Sequence, residues 1–108
     1  MENITKKEII QYLDEKGFKH NLKGFDMIVC AIEKGLEDKN FVRDKVTKIM
    51  YPEIAKIFST TTSRTERAIK HAIEESRYAI YDLPLIREEM PCNSEFLSKA
   101  VDDLKYAL

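Results

Sequence analysis

Arg64 and Arg67 are the side chains of this chain best equipped for recognition chemistry. A guanidinium is a planar fork of N–H donors that fits two acceptors side by side, such as O6 and N7 of guanine, a carboxylate or a phosphate. At a spacing of i and i+3, two such forks leave a helix on one side, and Glu66, Lys70 and His71 stand around them. Glu66 has two readings: it completes a capping box begun by Ser63, or it accepts a hydrogen bond from the amino group of cytosine. The bland reading of the stretch is a surface helix whose cations keep it soluble. Against that, the spacing predicts both arginines in the first turn, where positive charge opposes the helix dipole and a purely structural helix would favour Asp or Glu.

The elements that must carry these groups read as a helix-turn-helix over 52–78. Pro52 to Phe58 predicts a short helix with Ile54, Ala55 and Phe58 inward, and Ser59 to Thr62 predicts a polar turn without the frequent glycine. A longer helix follows through about Tyr78, opened by Ser63 with Glu66, or by Thr61 or Thr62, with Thr65, Ala68, Ile69, Ala72, Ile73 and Ser76 on its inner side. Upstream, Thr5 with Glu8 caps a helix to Lys16 that Gly17 ends, and a second, apolar helix spans about Gly24 to Glu37. A third, about Phe41 to Met50, places Val42, Val46, Ile49 and Met50 inward and Arg43, Lys45 and Lys48 outward, before a break and restart at Tyr51-Pro52. The stretch 79–92 reads mostly as loop, and a last helix after Asn93 or Ser94 presents Phe96, Leu97, Ala100, Val101 and Leu104 on one face. The expected fold is all-α, about six helices in a single domain over 1–108.

With 108 residues, 44% of them hydrophobic, the chain can bury one modest core. Its formal net charge of −1 argues against a uniformly basic, nucleic-acid-coating surface. The charge is segregated, however: from Arg43 to His71 seven basic residues face three acidic ones, and the remainder is acidic. Lys45, Lys48 and Lys56 within that block are candidate phosphate contacts. Cys30 and Cys92 lack ligand spacing, and His20 and His71 lack a metal or triad partner. No phosphate-binding Gly-rich loop is present either, so the expectation is no enzyme, no metal and no cofactor. Cys30, within an apolar run, reads as a small packing residue. No apolar run reaches the roughly 18 residues of a membrane span, and Met1 to Lys7 leads into Glu8 rather than a signal-peptide core. A cytoplasmic protein without a membrane partner is therefore expected.

The runs Val46 to Phe58, Thr61 to Glu74 and Asn93 to Phe96 resemble the DNA-binding effector domain of the sporulation master response regulator of endospore-forming bacteria, a likeness that spans about His20 to Lys105. The resemblance implies a six-helix transcription regulator that binds double-stranded DNA at sites of the TGTCGAA type, with two protomers on one face of the duplex where such sites are tandem. It implies base reading by Arg64, Glu66 and Arg67, engagement of the same site by Lys70 and His71, and a place near phosphate for Ser63. Lys70 replaces the arginine usual in the family, which keeps the charge and loses the fork; Thr65 replaces a valine on the core side. The partners implied beyond DNA are a second copy, a full-length regulator and RNA polymerase.

Two departures from the family pattern carry expectations of their own. Family members bear an N-terminal phosphoacceptor receiver, whereas the likeness here begins near His20, so the expectation is either a piece of a longer protein or, favoured by Met1 and the well-formed helix after it, a receiver-less relative without phosphorylation control in cis. Between Glu74 and Asn93 the chain is shorter than the family pattern, in a stretch that in the family contacts the polymerase sigma subunit. Site occupancy without recruitment, hence repression or competition, is the expectation that follows. An interaction protein that pairs with a full-length regulator through the acidic first and last helices is the reading from a different class.

Overall fold

A computed structural model describes residues 4–76 and 92–106, and among these the chain forms six α-helices and no strand. In chain order they are α1 (Lys6–Glu15), α2 (Lys23–Glu37), α3 (Asn40–Arg43), α4 (Tyr51–Ile57), α5 (Thr62–Glu74) and α6 (Asn93–Tyr106), with a π-helical turn at Val46–Met50 leading directly into α4. The all-α expectation is met. Residues 77–91, which hold Tyr78 and, but for Cys92, the stretch expected as loop, lie outside the described residues.

Local chemistry sets the first helices as the sequence predicts. Thr5 and Glu8 form the reciprocal capping box of α1. Gly17, at φ 78°, ends it: the Gly17 N–H reaches the Asp14 carbonyl and the Phe18 N–H reaches the Leu13 carbonyl, so that two terminal carbonyls of α1 are satisfied. The centre of the molecule is α2, with Phe25, Met27, Ile28, Val29, Ala31 and Ile32 all buried. It packs against α5, α6, α3 and α1. Each of these side chains larger than alanine contributes about 1.5–3 kcal/mol when taken from water, which makes α2 the platform for everything around it. From the far side, the Tyr12 hydroxyl donates to Asp103 at 2.7 Å, tying α1 to α6.

The third expected helix differs from prediction. Instead of one rod from Phe41 to Met50 that breaks at Tyr51-Pro52, the chain breaks at Asp44 and Lys45 and then runs continuously through Pro52. The Met50 N–H bonds the Lys45 carbonyl and the Tyr51 N–H the Val46 carbonyl, five residues back in each case. Pro52 donates nothing to this ladder, and its ring needs the room that a wider turn leaves. The extra residue also rotates Ile49 off the inward face, so Ile49 is 46% exposed where helical spacing placed it inside.

Candidate nucleic-acid interface

The interface is built on the junction of α4 and α5. Helix α4 buries Tyr51, Ile54 and Ala55, with Phe58 packed against the core beyond its end. It closes as α1 does: the Ser59 N–H reaches the Lys56 carbonyl at 3.3 Å and the Thr60 N–H reaches the Ala55 carbonyl at 2.9 Å. The residue that makes this turn possible is Ser59 at φ 54°, a left-handed conformation that glycine usually supplies. The chain emerges extended at Thr61, whose hydroxyl accepts from the Arg64 N–H at 3.1 Å.

Thr61 therefore caps α5, and the capping box expected from Ser63 and Glu66 does not form. The tight exit from α4 brings Thr61 into capping geometry first, so the helix begins at Thr62. Two consequences follow for the site. Glu66 has no capping duty and its side chain is exposed. Arg64 lies in the first turn as expected, but Arg67 falls in the second, where the helix dipole acts on it less. The first turn of α5 holds no acidic residue. At its other end α5 stops at Glu74, short of the predicted Tyr78, because the Ser76 hydroxyl donates to the Ile73 carbonyl at 2.6 Å and competes for the helical ladder.

The inner side of α5 is the predicted one: Thr65, Ile69, Ala72, Ile73 and Ser76 are buried and Ala68 is partly so. Thr65, though polar, is satisfied by donating to the Thr61 carbonyl at 3.0 Å. The approach of α2 is unusually close. A Cβ on Gly24 would sit 2.1 Å from the Ala68 carbonyl oxygen and 2.9 Å from the Ala72 Cβ, so only glycine fits where α2 starts against α5. Lys19 pairs with Glu75 at 3.3 Å and pins the C-terminal end of α5 to the connection after α1.

Asn93, the first residue of α6, was legible only as a helix start, yet its buried side chain crosses to the other two elements. Its amide donates to the Tyr51 hydroxyl at 2.9 Å and to the Glu66 backbone carbonyl at 3.2 Å. Burial pushes the Tyr51 phenol up from its ordinary pKa, and the Asn93 bond partly opposes that. Glu95 on the same turn accepts from the Cys92 N–H at 3.0 Å, which holds its carboxyl below its usual value.

The outer side of α5 exposes Arg64, Glu66, Arg67, Lys70 and His71, with Ser63 at its start. At 100° per residue Arg67 falls near the centre of this exposed arc, Arg64 at one edge and Glu66 at the other. Glu66 and Lys70 turn towards a groove of about 820 Å³ whose opposite wall carries Arg43, Thr47 and Lys48, with Asn93 and Ser94 also lining it. None of Arg64, Arg67, Lys70, Lys48 and Lys56 pairs with a carboxylate among the described residues. Lys45 is exposed but has Asp38 at 3.8 Å, and Arg43 has Asp44 at 3.6 Å. Cys30 is half-buried at the edge of the core, and burial raises its thiol pKa, as suits a packing residue rather than a nucleophile.

A short helix, a tight turn and a longer helix whose outer face is rich in donors that no described carboxylate pairs with define a helix-turn-helix DNA-binding domain. Residues 9–104 match the family described as sporulation initiation factor Spo0A C terminal, and the chain belongs to that family. It is a family of DNA-binding transcription regulators of sporulation, not a family of enzymes. Among the described residues no helix is long and apolar enough to cross a membrane.

Proposed function

We propose that this protein reads a short duplex site of the TGTCGAA type by laying α5 in the major groove. Arg67 and Arg64 fork onto guanines, Glu66 accepts from a cytosine amino group, and Lys70 and His71 engage the same site as single-point contacts. Ser63, Lys48 and Lys56, with Lys45 to a lesser degree, hold the phosphate backbone on either side. The observation that carries this reading is the placement of Arg67 at the centre of an exposed arc with no carboxylate among the described residues paired to it, on a helix whose opposite side is locked into the core. Tandem sites would take two copies side by side.

The test is a titration of the protein against a labelled TGTCGAA duplex and a scrambled duplex of equal length, at one stated salt concentration. Binding on the order of a thousandfold tighter to the specific duplex is expected. Equal, weak binding to both would sink the reading and favour a protein-interaction role.

A further inference from the structure

We infer that Asn93 is a positioning residue for α5, and that its amide sets the placement of the helix on which sequence discrimination depends. The inference rests on the reading that α5 enters the major groove. Among the described residues, α5 is seated on the body by the buried side chains of Ile69, Ala72 and Ile73 with Thr65 beside them, a largely apolar seat, and Lys19 meets Glu75 at its far end. An apolar seat is non-directional: it fixes how far a helix lies from its neighbours better than its rotation about its own axis. Asn93 adds direction. It is 7% exposed and spends both amide protons across elements, one on Tyr51 at the start of α4 and one on the carbonyl of Glu66, between the two arginines.

That carbonyl lies in the second turn of α5 and at the edge of the exposed arc, so a bond from another element there resists rolling of the helix. A roll of α5 would swing Arg64 and Arg67 off the base edges while leaving their charges close to phosphate. Asn93 should therefore matter for discrimination and little for non-specific attraction. A residue that merely stabilised the fold would affect both together.

The experiment uses the full chain with Asn93→Leu and Asn93→Ser. The first keeps the shape but loses the donors, and the second is too short to span both acceptors. For each, dissociation constants are measured on the TGTCGAA and scrambled duplexes. Amide hydrogen exchange of the DNA-free protein compares α5 with α2. The expected result is a specific-to-scrambled ratio lowered about tenfold, as the loss of a net hydrogen bond allows, with scrambled binding unchanged. Protection of α5 amides should fall while that of α2 amides holds. An unchanged ratio in both variants, or a parallel loss on both duplexes, would overturn the inference. Should the unmodified protein itself show no preference between duplexes, the major-groove reading fails and so does the discrimination part of this inference. Selective loss of α5 protection would then show that the clasp still holds the helix.

Discussion

Arg67 and Glu66 are adjacent in sequence and differ in what surrounds them. Arg67 points from the middle of the exposed arc of α5, whereas Glu66 sits at its edge with its backbone carbonyl held by Asn93. Substituting Arg67→Ala should cost about 1–3 kcal/mol on the specific duplex and much less on scrambled DNA, because it removes a fork aimed at a base edge. Binding isotherms on the two duplexes check this, and a uniform loss on both would reassign Arg67 to phosphate. That Arg64 and Arg67 share the exposed side of one helix was legible because surface chemistry is local: a fork, its spacing and the helical period suffice to put them there. Asn93 was not legible, since an asparagine at a helix start satisfies the capping expectation so well that nothing in the chain suggests its amide reaches residues far away in sequence.

At the scale of elements, the two helix ends built alike make a comparison. The end of α1 uses Gly17 at φ 78°, while the end of α4, with the same pair of backbone bonds, uses Ser59 at φ 54°. A non-glycine residue in that region costs about 1–2 kcal/mol, and glycine returns about half of it as extra freedom of the unfolded chain. Ser59→Gly should therefore stabilise the protein by about 0.5–1 kcal/mol without altering the exposed arc, seen as a higher Tm with unchanged duplex affinity. Gly24→Ala should act in the opposite direction. Its new methyl would meet the backbone of α5 at Ala68, which no rotamer change can relieve, so a loss of about 1–3 kcal/mol is expected, with weakened specific binding as α5 is pushed away. Equal stability of the Gly24→Ala protein would mean that α2 and α5 are further apart than described. Sequence periodicity located α2, α5 and α6 well because each has a wide apolar stripe. It misjudged the stretch before Pro52 because a π turn breaks the 3.6-residue period on which that reasoning depends.

At the scale of the molecule, a net charge of −1 and a DNA-binding surface are compatible because the cations concentrate in the segment 43–71, where seven basic residues stand against three acidic ones. The described body extends over 35 × 31 × 26 Å, several times the roughly 8 Å over which charges act at physiological salt, so acidic groups further than that from α4 and α5 scarcely weaken the cations there. Fold class was legible from the absence of alternating patterns and the scarcity of Gly and Pro, but the side on which the cations gather is a property of packing. The salt dependence of binding turns this into a number. Each phosphate neutralised on B-DNA contributes about −0.9 to the slope of log K against log salt, independent of sequence. Lys48 and Lys56 are exposed and pair with no described carboxylate, so Lys48→Ala and Lys56→Ala should each flatten the slope by about one on either duplex. Lys45→Ala should do so by less, because Asp38 at 3.8 Å already shares its charge. Lys7→Ala, an exposed cation on α1, which packs chiefly on α2, should leave the slope unchanged. Anisotropy titrations at several salt concentrations measure all four, and equal flattening by Lys48→Ala and Lys7→Ala would place the duplex somewhere other than against α4 and α5.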